Sequence, residues 1–138
     1  MKAIPQVKAV MTPFPYWVDI DDALSRALVM MAEHAIHHLP VVEGGRLVSV
    51  LSEKDLPGDS EERRKLRVRD VCRGRGAYVV GLSEPLDHVL FHMAEHGLDS
   101  ALVVKDGKLA GIFTASDACR HFGRLLRSLF PPGGDDAA

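Results

Sequence analysis

The sequence predicts a mixed α/β fold of the α+β type: two β-α-β-β-α repeats packed with pseudo-twofold symmetry. Three observations carry that expectation. First, Leu24, Leu28, Met31, Ala32, Glu33 and His34 return at one constant offset as Leu86, Leu90, Met93, Ala94, Glu95 and His96. The same offset joins Val41-Val42 to Val103-Val104, Gly45 to Gly107, Leu47 to Leu109 and Asp55 to Asp117. About a third of positions between Leu24 and Asp55 are identical in the second copy, so the chain writes one unit twice. Second, apolar residues recur at three and four within each copy, the period of a helix with one buried stripe. Third, two short β-branched runs flank a glycine turn in each copy, which is a hairpin signal.

The elements follow in order. Each repeat is expected to open with an extended segment, Val7 to Val18 and Val68 to Val80. A helix comes next, with Leu24, Ala27, Leu28, Met31 and Ala32 on one stripe. Asp21 or Asp22 is the expected N-cap of the first helix, and Ser83, ahead of Pro85, that of the second. Gly97 ends the second helix, whereas Ala35 must end the first less cleanly. Hairpins span Leu39 to Leu51 and Ala101 to Phe113, with turns at Glu43-Gly44-Gly45 and Lys105-Asp106-Gly107. A long helix, Ala115 to about Leu129, closes the second copy, with Phe122, Leu125, Leu126 and Leu129 on one side. Its counterpart is broken at Pro57-Gly58, leaving at most a short charged helix over Glu61 to Leu66. The first repeat is thus expected over 7–66, the second over 67–130, and a disordered tail over 131–138.

Composition narrows the function. The chain has 138 residues, 46% of them hydrophobic, so it can bury a substantial core. A net charge of −2 offers no basic field for nucleic acid or a membrane surface. Cys72 and Cys119 occupy different repeat positions without metal spacing, which reads as reduced, structural thiols. No apolar run suits a signal peptide or a membrane span, and a cytoplasmic protein is the expectation.

Two short patterns carry chemistry. Ser52-x-x-Asp55 and Thr114-x-x-Asp117 each place a hydroxyl and a carboxylate one turn apart. At a helix N-terminus the hydroxyl and free N–H groups suit a phosphate, while the carboxylate can accept both hydroxyls of a ribose diol. The same spacing is also the capping-box pattern, a purely structural role. His88, His92 and His96 share a helix face, but a third ligand would sit about 12 Å from the first, too far for one ion. A solvated or subunit-facing stripe is the simpler reading. No nucleophile–base arrangement and no glycine-rich phosphate loop is visible, so the chain is not expected to be an enzyme.

In their order and duplication these patterns resemble a tandem pair of cystathionine β-synthase (CBS) domains. Val7-Lys8-Ala9-Val10-Met11-Thr12-Pro13, with its echo Val68-Arg69-Asp70-Val71-Cys72, resembles that family's opening segment. His37-His38-Leu39-Pro40-Val41-Val42 resembles its helix-to-strand passage. The resemblance implies an adenosyl-ligand sensor with no required cofactor, whose candidate ligands are AMP, ADP, ATP and S-adenosylmethionine. It implies that Asp55 and Asp117 hold ribose, that Ser52 and Thr114 hold phosphate, and that Thr12 lies at the site. His37 and His38 align with a phosphate-facing pair, or are two surface histidines at a helix end.

The copies differ within these sites. Asp99-Ser100 replaces His37-His38, Leu102 replaces Pro40, and an acid facing a phosphate is unfavourable. Arg73 and Arg75 offer positive charge instead. Acids at Asp59, Glu61 and Glu62 favour a monophosphate or an uncharged adenosyl group over ATP. Two unequal clefts are therefore expected, with the Asp117 cleft the better one. Val29, Met30 and Phe91 lie off the main helical stripes, as a loose second layer of core or a face toward another chain, and the resemblance implies homodimerisation through these helices. The function expected is a stand-alone regulatory pair that binds an adenosyl ligand, AMP first, and signals in trans to an unidentified protein. The rival is a dimerising interaction module without nucleotide binding.

Overall fold

Two-residue glycine turns fix both hairpins. In the computed structural model, which describes residues 3–72 and 76–133, Gly44 and Gly45 have φ of 57° and 80°. Asp106 and Gly107, at 52° and 77°, occupy the same place in the second copy. Positive φ at both central residues matches the right-handed twist of the flanking strands. Strand β3 (His38–Glu43) thus pairs antiparallel with β4 (Arg46–Ser52), and β6 (Ser100–Lys105) with β7 (Lys108–Thr114). The register slips between Val41 and Val42 and again between Val103 and Val104, so the repeat extends to its irregularities.

The remaining strands complete two sheets. β2 (Val18–Asp19) runs parallel to β3 in a sheet ordered β2-β3-β4. β5 (Val79–Gly81) runs parallel to β6 in a sheet ordered β1-β7-β6-β5, where β1 (Thr12–Pro13) lies antiparallel on β7. Helix α1 (Leu24–His34) covers the first sheet with Leu24, Ala27 and Met31, and α4 (Leu86–His96) covers the second with Val89 and Met93. After β4 come a single 3-10 turn (Glu53–Asp55) and the four-residue helices α2 (Ser60–Arg63) and α3 (Val68–Val71). Helix α5 (Ala115–Leu129) closes the chain. Residues 134–138 of the expected tail lie outside the described residues.

Two expectations need correction. The opening segments are not extended from their first residue: Val7–Ala9 forms a 3-10 turn and Val68–Val71 the helix α3. Each packs on the other copy, Val7 in the core with Val89, Val103 and Phe113, and Val68 and Cys72 with Leu24 and Leu39. The expected side-chain N-caps are likewise absent. Helix α1 begins after Ala23 and α4 after Pro85, neither with a capping side chain. Carbonyls from the crossing segments accept instead, Leu66 O from the Leu24 N–H at 2.9 Å and Pro5 O from the Leu86 N–H at 2.9 Å. Asp22 is diverted to the Asp19 N–H, 3.0 Å away.

Both helices end at the expected residues, and Ala35 makes the same stop as Gly97 rather than a looser one. Gly97 and Ala35 both take the left-handed conformation, with φ of 63° and 51°, and the next N–H bonds back to Met93 O and Met31 O. A Cβ makes that conformation costly at Ala35. Ala35→Gly should therefore raise stability by about 0.5 to 1 kcal/mol, the strain relief outweighing the added freedom of the unfolded chain. A urea midpoint that fails to rise would disprove the argument.

Candidate nucleotide site

The opening segment, the end of α1 and the start of α5 meet around one cavity of about 690 Å³. Thr12 and Pro13 reach it because β1 is zipped to Ile112 and Gly111 of β7. Gly111 permits that closeness: a Cβ there would stand 2.3 Å from the Met11 sulfur. Ala35, Ile36, His37 and His38 enter where the left-handed turn reverses the chain after α1. Thr114, the N-cap of α5, and Ser116, Asp117 and Arg120 from its first turns also line the cavity. Residues from both repeats thus line one space.

At the α5 start the capping-box reading holds in full. Asp117 Oδ2 accepts from the Thr114 N–H at 2.9 Å and lies 3.1 Å from its hydroxyl, while Thr114 Oγ1 accepts from the Asp117 N–H at 3.3 Å. Asp117 Oδ1 meets the Arg120 guanidinium at 3.0 Å. That arginine brings a cation to the cavity beside the carboxylate. A ligand diol approaching Asp117 must therefore exchange with Arg120, which would then be free to meet an anionic group.

The two histidines already have acidic neighbours. His37 Nδ1 lies 2.8 Å from Glu53 Oε2 in an exposed pair. His38 is mostly buried, its Nε2 3.2 Å from Asp99 Oδ1, near enough for charge attraction but poorly aligned for a hydrogen bond. Lys54 Nζ approaches the other Asp99 oxygen at 2.7 Å. Partial burial pushes the Asp99 carboxyl up, but Lys54 and His38 outweigh it and hold it below its usual range. Asp99, the acid that replaces His37 in the second copy, is thus bound across the seam to the first.

The first copy's signature stands apart. Ser52 is buried at the end of β4 and caps nothing with its side chain. Asp55 is half-buried at the end of the 3-10 turn, and neither residue lines the 690 Å³ cavity. Arg73 and Arg75 lie outside the described residues. The structure therefore gathers Thr12, His37, His38, Thr114 and Asp117 and leaves Ser52 and Asp55 elsewhere. Sequence reasoning missed Phe14, Tyr16 and Arg120. Arg120 had a signal, three residues after Asp117 on one helix face. Tyr16 had none: its ring stacks on His34 with centroids 3.7 Å apart, a contact no local pattern announces.

Two residues of the His88, His92 and His96 face join a ladder rather than a convergent cluster, while His88 lies 3.6 Å from Glu84. Tyr78, His92 and His96 stack in series at 4.1 Å each. Stacked imidazoles direct their lone pairs alongside one another, which suits aromatic packing rather than a shared ion.

A family profile described as CBS domain matches residues 7–56 and again 68–124. The zinc metalloprotease MJ0392 of Methanocaldococcus jannaschii is 30% identical over 115 residues, 83% of this chain and 31% of that protein. The inosine-5'-monophosphate dehydrogenase of Staphylococcus haemolyticus is 24% identical over 106 residues, 75% of this chain and 21% of its own. The chain therefore spans less than a third of either relative. The crystal structure of the CBS domain pair of protein MJ0100, in complex with 5'-methylthioadenosine and S-adenosyl-L-methionine, superposes with a TM-score of 0.78. It is 26% identical, covering 89% of this chain and 99% of that one. Among the described residues no helix is long and apolar enough to cross a membrane.

Proposed function

The chain belongs to the CBS domain family, and from that premise we propose that it binds an adenosine-containing ligand, AMP first, in the Asp117 cavity and signals to a partner protein in trans. One observation carries the reading: Thr12, His37, His38, Thr114 and Asp117, from both repeats, line a space of about 690 Å³, within the range of small-molecule sites. Asp117 offers a carboxylate to a ribose diol. Arg120 and the α5 N-terminus offer positive charge to one phosphate. A related CBS domain pair holds 5'-methylthioadenosine and S-adenosyl-L-methionine, which supports an adenosyl group as the shared feature.

A monophosphate suits this cavity better than a triphosphate. Glu53 and Asp99 stand beside the two histidines, and Asp117 adds a third acid, so each further phosphate meets more repulsion. The Asp55 side is proposed to stay empty, with Lys54 and Asp99 paired across it. A homodimer is part of the proposal. Val29 on α1 and Phe91 on α4 are exposed, and α5 buries none of its residues while presenting Phe122, Leu125, Leu126 and Leu129. Such a surface calls for cover by another chain.

A thermal-shift panel of AMP, ADP, ATP and S-adenosylmethionine tests the reading. A ligand at a hundred times its Kd should add about 2.7 kcal/mol, with AMP shifting the melt more than ATP. A flat panel would remove the nucleotide role and leave a dimerising interaction module.

A further inference from the structure

Phe14 is built against two local rules at once. Its φ is 48°, in the left-handed region that a side chain makes costly, and it precedes Pro15, which disfavours compact conformations in the residue before it. Pro13 on one side and a 3.1 Å bond from its N–H to Ala110 O on β7 hold it there. Its ring is nonetheless 92% exposed, so no packing offsets the strain. Tyr16, the other aromatic group of the cavity, is already stacked on His34. Phe14 is thus an aromatic face held at the cavity rim with nothing against it.

Phe14 also lines a neighbouring groove of about 490 Å³ that contains Trp17, the chain's single tryptophan. Among the described residues only Phe14 and Pro15 border both spaces. We propose that Phe14 is the base-stacking residue: its ring closes on the ligand's purine and, in closing, alters the Trp17 groove. This rests on the nucleotide reading above. Strain without a packing return is the mark of a residue kept for a ligand. An aromatic face recognises a flat base but neither ribose nor phosphate.

Calorimetry and Trp17 fluorescence test the assignment. Phe14→Ala and Phe14→Gly should each bind AMP about ten- to hundredfold more weakly, while Phe14→Tyr binds as the unaltered chain does. Phe14→Gly should melt no lower than the unaltered protein, because it relieves the backbone. AMP should change Trp17 emission in the unaltered protein and not in Phe14→Ala, and ribose 5-phosphate should leave it unchanged. Equal AMP affinity in Phe14→Ala would overturn this role alone. So would a variant that loses self-association but keeps AMP. An unaltered protein that binds no adenine compound would overturn the nucleotide reading, and this assignment with it.

Discussion

Replacing Phe113 with alanine is expected to lower stability by about 3 to 5 kcal/mol, read as a fall in urea midpoint with an unchanged slope. Phe113 is fully buried and heads the largest buried side chains. It stands on β7 opposite Ala101 and packs among Val7, Val80, Val89, Met93 and Val103. Its surroundings are poorly able to collapse into the space. Ala101 is small, Val103 and Val80 are held in sheet register, and Val7 is fixed by its N–H bond to Glu84 O at 2.8 Å. The cavity cost therefore adds to the lost transfer energy. Natural domains have only about 5 to 15 kcal/mol in total, so this single change should leave the chain close to unfolding. Leu51, its counterpart in the first core, should cost about 2 to 5 kcal/mol on the same change. A loss at Phe113 below about 2 kcal/mol would mean that neighbours refill the site.

How much of this was legible in the sequence divides along one physical line. Helix phase, hairpin turns and the left-handed stops are set by neighbours a few residues away, so Leu24, Ala27 and Met31, Gly44-Gly45 and Gly97 announced themselves. The exchange of opening segments is not local. Val7 and Val68 each read as the first apolar residue of their own repeat, and no periodicity says that each is buried in the other's core. The helix starts failed for the same reason, since Leu66 O and Pro5 O arrive from distant segments and displace side-chain caps. At the site, duplication exposed Thr114 and Asp117, and resemblance added Thr12, His37 and His38. Comparison of the copies marked Asp99 as odd, yet only the structure shows it bound to Lys54 and His38. Phe14 carried no pattern at all, because its meaning lies in a positive φ and an unpacked ring.

Asp117→Ala should separate the structural and ligand roles of the second signature. Both carboxylate oxygens are engaged within the chain, Oδ2 by Thr114 and Oδ1 by Arg120. Losing the box should cost about 1 kcal/mol of stability, the usual worth of a helix cap. Losing a carboxylate that bonds a ribose diol removes charge-assisted bonds worth about 1.5 to 3 kcal/mol, so AMP affinity should fall about ten- to hundredfold. Asp117→Asn refines the test. Its amide oxygen can still accept from the Thr114 N–H and keep the cap, but the neutral group neither holds Arg120 nor accepts from a diol as strongly. Stability near that of the unaltered chain with a large loss of AMP binding is therefore the expected signature. Asp55→Ala should cost less AMP binding, because Asp55 ends a single 3-10 turn and does not line the cavity. Calorimetry that finds equal losses at the two aspartates, or the greater loss at Asp55, would refute the inequality of the clefts. The expected inequality would have a cause in the chain itself: Pro57 stops the first closing helix after one turn, whereas α5 runs for 15 residues and starts at the 690 Å³ cavity.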